Sequence, residues 1–136
     1  MSLLDLRDIS FAYPGQPLVL DGASLTLDPG ERICISGPNG VGKSTLAKIV
    51  VGLLRPTGGQ VIAFGKERRA EPDFAEVRRR IGYVFQDPDD QLFSPTVAED
   101  IAFGPLNLGK TRDEALTIVD DILTRMNLMH LRDRIT

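Results

Sequence analysis

Apolar residues recur at near-alternate positions in residues 3–9, LLDLRDI, where Leu4, Leu6 and Ile9 predict a first strand. Pro14-Gly15 then signals a turn. Residues 18–20 and 23–27 read as two short strand pieces. In the second, Leu25 and Leu27 alternate with Ser24 and Thr26 as on a half-buried sheet. The run RICIS, 32–36, predicts a strand entering the core, with Cys34 as a small buried hydrophobe. Residues 44–54 change period: Leu46, Ile49, Val50, Leu53 and Leu54 form one helical face, and Pro56 is the expected stop. QVIAF, 60–64, and IGYVF, 81–85, predict two more strands. A weakly signalled helix over 73–79 falls between them. Thr96 with Glu99, and Thr111 with Glu114, fit the capping box and predict two further helices. The first is expected to end by Gly104-Pro105. The second carries Ala115, Ile118, Val119, Ile122, Leu123 and Met126 along one side.

Composition narrows the class. The 136 residues suit one domain, and 42% hydrophobic with 26% charged residues is ordinary for a globular chain. A formal net charge of -3 argues against nucleic acid as a partner, because phosphate backbones recruit an excess of Lys and Arg. The triplet Arg78-Arg79-Arg80 is read as a solvated face. A single cysteine excludes an internal disulfide. No apolar run reaches the length of a membrane span. Asp5, Arg7 and Asp8 interrupt any secretory signal, so the reducing side of a membrane is the expected compartment.

The chemistry concentrates in Gly37-Pro38-Asn39-Gly40-Val41-Gly42-Lys43-Ser44-Thr45, which matches G-x-x-x-x-G-K-[ST]. Glycines let successive N–H groups turn inward on phosphate oxygens. The following helix adds its unpaired amides and positive dipole end. Lys43 supplies a mobile charge for the β- and γ-phosphates of a nucleoside triphosphate, Ser44 a hydroxyl for Mg²⁺, and Thr45 a polar contact near the α-phosphate. The motif follows an apolar run and opens a periodic helix, the context it requires.

Three further segments carry a family resemblance. GPNGVGKST, the aromatic Tyr13 in Phe11-Ala12-Tyr13, and Gly82-Tyr83-Val84-Phe85-Gln86 resemble the N-terminal half of an ABC-transporter ATPase domain. The stretch QDPDDQLFSPTVAEDIAFGPLNLG, 86–109, is similar to the ATPase components of energy-coupling-factor importers and cobalt or nickel uptake systems. The resemblance covers essentially the whole chain. It implies a truncated α/β fold of the P-loop NTPase type: an antiparallel β subdomain, a partial RecA-like core and the start of a helical subdomain. It also implies ATP and Mg²⁺ as cofactors, with Tyr13 stacked on adenine, Lys43 and Gln86 in catalytic roles, and Ser44 and Gln86 at the metal. The implied partners are a transmembrane subunit, met through residues near 87–103, and a second ATPase subunit, at the cytoplasmic face of the cell membrane.

The family's Leu-Ser-Gly-Gly signature loop, its Walker B aspartate, the glutamate after it and its switch histidine find no match here. Residues 1–136 are therefore expected to form a partial domain ending before the signature motif, able to bind ATP but not to hydrolyse it. The strand normally beside the P-loop strand would be missing, leaving a sheet edge and an apolar helix face exposed. A small P-loop kinase and a non-catalytic nucleotide sensor are the alternatives; the surroundings of Gln86 argue against the kinase.

Overall fold

Strand β1, Leu4–Ala12, buries Leu4 and Leu6 and then Ile9 and Phe11, so its inward parity changes from even to odd along the strand. The change falls at Arg7-Asp8, where pairing to both neighbours slips and Asp8 takes a φ of 51°. One extra residue in a strand reverses every side chain beyond it. Antiparallel partners flank β1: β2, Leu18–Leu27, on one side and β3, Gly58–Ala63, on the other. A two-residue β4, Lys66–Glu67, completes the order β2-β1-β3-β4. The segments expected as two pieces, 18–20 and 23–27, are thus one irregular strand. The computed structural model describes all 136 residues, Met1–Thr136, and they divide into two units, Met1–Tyr83 and Val84–Thr136.

In the first unit, helix α1, Lys43–Val50, sets Leu46 and Ile49 into a core with Leu6, Ile9, Phe11, Val61 and Phe74. It ends earlier than Pro56 suggests. Gly52 donates to Ile49 O at 3.0 Å and Leu53 to Lys48 O at 2.9 Å, the paired bonds of a Schellman turn. Leu53, expected on the apolar face, lies beyond that turn and is half exposed.

Helix α2, Glu71–Arg78, begins where Asp73 Oδ2 accepts from the amides of Arg69 and Ala70 at 3.0 and 2.9 Å. Those two amides hold the Asp73 carboxyl below its usual range. The arginines here are structural. Arg68 is buried and donates twice to Ala63 O and once to Glu76. Arg78 donates to Val51 O at 3.1 Å and pairs with Glu71, and Arg80 lies 3.4 Å from the centroid of the Phe64 ring. Arg78, Arg79 and Arg80 all remain exposed, so the triplet is the solvated face read from the sequence. Two of the three arginines are anchored by a carbonyl or a ring that no local charge pattern reveals.

Residues 32–36 and 81–85 belong to no strand, contrary to the expectation for both. A strand exists only through its ladder, and β1 already has a partner on each side. Ile33 and Ile35 remain nearly half exposed, and Cys34 is exposed, which corrects its assignment to the core. Ile33, Ile35, Ile81 and Leu46 line an open, largely apolar cavity of about 320 Å³.

The second unit is a helical hairpin. Helix α3, Val97–Asn107, and helix α4, Arg112–Arg125, pack Ala98 and Ala102 against Ala115, Val119 and Leu123. The buried stripe of α4 is narrower than its period predicts, and Met126 and Ile122 lie outside it. Pro105 does not end α3. It opens the last turn, where Gly109 and Lys110 close a Schellman pair onto Leu106 O and Pro105 O. Thr111 and Glu114 form a full capping box, with bonds of 2.8 and 3.3 Å. Thr96 caps Glu99 N at 3.3 Å without the reciprocal bond, and an antiparallel bridge to Ile135 forms beside it through Val97 N to Arg134 O and Thr136 N to Pro95 O. The last residues close over this end: Val97 and Ala98 donate to Arg134 O and Arg132 O.

Candidate nucleotide-phosphate site

The loop from Gly37 to Val41 is exposed, and Gly42 is buried at its end. Gly42 has a φ of 103° and serves as N-cap of α1. A Cβ there would lie 2.8 Å from Leu20 Cδ2 and 3.1 Å from Val19 O, so β2 presses directly on the loop. Only glycine meets both conditions. With no side chain to cap it, α1 opens on bare amides. The first helical bond is Leu46 N to Gly42 O at 2.9 Å, which leaves the N–H groups of Lys43, Ser44 and Thr45 ahead of the ladder.

Lys43 turns back over the loop. Its Nζ donates to Gly37 O and to Pro38 O, both at 2.7 Å. The ammonium therefore stands inside the curve of the loop, beside the amides of the helix end. Donors of this kind, one mobile cation and several N–H groups with no acceptor atoms of their own, fit a polyphosphate. The structure thus brings Gly37, Pro38, Asn39, Gly40, Val41, Gly42, Lys43, Ser44 and Thr45 together as one cradle, with the Ser44 hydroxyl at its exposed lip.

Tyr13 joins them from just past the end of β1. Its hydroxyl lies 3.1 Å from Thr45 Oγ1, across 32 residues of sequence. Its ring meets Phe11 edge-on, with centroids 4.9 Å apart. The link from Tyr13 to Thr45 was not apparent in the sequence, where only the two residue types were visible.

Gln86 belongs to the second unit, in an exposed loop closed by Gln91 Oε1, which accepts from Phe85 N at 3.1 Å. Asp87 Oδ1 accepts from Asp89 N and caps a 3-10 turn, Pro88–Asp90. Asp100 Oδ1, on α3, holds the amides of Phe93 and Ser94 at 3.3 and 3.1 Å. Phe93 is 64% exposed and packs edge-on against the half-exposed Phe103, with centroids 4.5 Å apart. Asp100 and Phe103 both lie in the stretch that carried the family resemblance, but their contacts with Phe93 and Ser94 were not apparent there.

An antiparallel sheet backing a glycine-hinged loop, a lysine and an open helix end defines a mixed α/β protein of the P-loop NTPase type. The family model described as ABC transporter matches residues 20–136, and the chain belongs to that family. It is 44% identical over 135 residues to the energy-coupling factor transporter ATP-binding protein EcfA of Methanoculleus marisnigri, covering 99% of this chain and 48% of that protein. It is also 44% identical over 135 residues to the cobalt import ATP-binding protein CbiO of Rhodobacter capsulatus, covering 98% and 48%. The solved structure of cbiO1 from Clostridium perfringens, described as part of the ABC transporter complex cbiONQ, superposes with a TM-score of 0.84 at 36% identity. It covers 98% of this chain and 54% of that one. The chain therefore spans about half the length of the relatives it matches. No helix is long and apolar enough to cross a membrane.

Proposed function

We propose that these residues are the ATP-binding part of the ATPase subunit of a membrane importer that takes up a transition-metal ion, cobalt or nickel, or a vitamin. The observation that carries this reading is the cradle formed by Lys43 and the open end of α1 around Gly37–Gly42, in a chain 44% identical to a cobalt import ATP-binding protein. ATP would supply a transferable γ-phosphoryl group and Mg²⁺ would offset its charge. Lys43 exchanges its two carbonyl bonds for phosphate oxygens, the amides of 43–45 take the adjoining phosphates, and Ser44 turns its hydroxyl to the metal. Gln86 is the residue proposed to reach the metal or orient water. Hydrolysis is assigned to the whole protein. These 136 residues by themselves are proposed to bind ATP without family-like turnover. The subunit would sit peripherally at the cytoplasmic face of the membrane, with a second ATPase subunit.

Tyr13 is proposed to stack on the adenine base. Replacing it with alanine is expected to weaken ATP about tenfold, since base–aromatic stacking contributes on the order of 1–3 kcal/mol. Isothermal titration of Mg-ATP against both chains checks this, and equal affinities would remove the stacking role.

The segment 87–103 is proposed to meet the transmembrane subunit, with Phe93 as anchor on its Phe103 support. A cysteine at Asp90 in the full-length protein is expected to cross-link to the membrane subunit in at least one nucleotide state. Failure in every state counts against the docking role.

A further inference from the structure

We propose that Thr45 is a positioning residue for Tyr13: its buried hydroxyl ties the base-facing ring to the helix end that holds the phosphates. The inference rests on the nucleotide reading above and assigns Thr45 a different task from the phosphate contact expected of its side chain. Tyr13 lies just past the end of β1, and the chain turns immediately after it, with Gln16 N donating to Tyr13 O at 2.9 Å. No strand ladder orients its ring. Two contacts do so: the edge of Phe11, itself in the core, and Thr45 Oγ1 at 3.1 Å.

Thr45 is the third residue of α1 and only 6% exposed, so its hydroxyl meets the Tyr13 hydroxyl in a partly buried bond. Each hydroxyl has one donor and two acceptor sites, so the bond forms with either one donating. The Thr45 backbone amide stays free for phosphate, because the helical ladder begins at Leu46. The hydroxyl and the amide of one residue are thereby split between the two ends of a nucleotide. The hydroxyl fixes where the ring stands, and the amide faces the phosphates. This fixes the separation between stacking surface and phosphate cradle, so the site favours a nucleoside triphosphate over a bare triphosphate. A ring set in place before the ligand arrives loses less freedom on binding.

The test compares two ligands, Mg-ATP and inorganic triphosphate with Mg²⁺, on the 136-residue chain and four variants. Thr45→Val keeps the shape and removes the hydroxyl. It is expected to weaken ATP about fivefold while leaving triphosphate affinity in place. Tyr13→Phe removes the other half of the bond and should match that loss, and the double variant should lose no more than either alone. Thr45→Ser should restore ATP affinity. Equal losses for both ligands in Thr45→Val would assign the hydroxyl to phosphate and overturn the proposal, as would unchanged ATP affinity. Should Thr45→Val fold poorly, Tyr13→Phe and Thr45→Ser still decide: unchanged ATP affinity in the first, or loss in the second, overturns it. A wild-type chain that binds triphosphate as tightly as ATP overturns the positioning role alone. One that binds neither ligand overturns the nucleotide reading itself, and this inference with it.

Discussion

Lys43→Ala is expected to weaken Mg-ATP by about 30- to 100-fold, the effect of losing one hydrogen-bonding cation worth roughly 2–3 kcal/mol against a charged acceptor. The estimate is held to that range by what Lys43 already does. Its ammonium sits on Gly37 O and Pro38 O at 2.7 Å each, so binding exchanges two good neutral acceptors for charged ones. The gain is a difference between those sets, smaller than the full strength of an ammonium–phosphate contact. The variant also frees two carbonyls that face the loop interior. Their repulsion for phosphate oxygens adds to the loss. Lys43 lies outside the apolar core, so thermal unfolding of the variant should match the parent closely. Calorimetric titration of both chains at one salt concentration is the measurement. An affinity within threefold of the parent would mean that the helix amides alone hold the phosphates.

Gly52→Ala should destabilise the first unit by about 3 kcal/mol or more, because two penalties act at one atom. The residue holds a φ of 74° at the Schellman turn ending α1, where an L side chain is strained. Its new Cβ would also fall 2.4 Å from Phe74 Cδ1 and closer still to Cγ. Phe74 has no room to retreat. It is fully buried, and the Arg55 guanidinium lies 4.3 Å from its ring centroid. Arg55 in turn bonds Gly52 O and Glu71. Urea unfolding followed by far-ultraviolet circular dichroism measures the change. A loss below about 1 kcal/mol would show that the α1–α2 corner repacks around the added methyl.

The phosphate loop was readable from the chain because its chemistry is local: eight consecutive residues specify a turn, a charge and a helix start. Helix α4 was readable for the same reason, since Thr111, Glu114 and the Ala115-Val119-Leu123 spacing all lie within one element. What was hidden depends on distant partners. The apolar content of 32–36 and 81–85 is real, but no sequence feature says whether a ladder forms beside it. Arg78 and Arg80 are the surface charges they look like, but the Val51 O and Phe64 ring contacts that orient them come from distant residues. Pro56 is a conspicuous helix stop, yet Gly52 acts first, through a turn bonded back to Ile49 and Lys48. Tyr13 was selected by family likeness, and its hydrogen bond to Thr45 emerges only when β1 and α1 are brought together.

The slip at Arg7-Asp8 bears on the residue proposed to meet the base. Counting by twos from Leu4 and Leu6 would bring Ser10 and Ala12 inward and send Phe11 and Tyr13 to the opposite face. The extra residue resets the count, so Ile9 and Phe11 turn toward the core, and the Phe11 ring becomes the edge against which Tyr13 rests. An irregularity of one residue, well away from the glycine loop, thus sets the side of the sheet on which Phe11 supports the Tyr13 ring. Removing one residue between Asp8 and Phe11 would turn Phe11 away from the core and take the support from Tyr13, though no motif records that spacing.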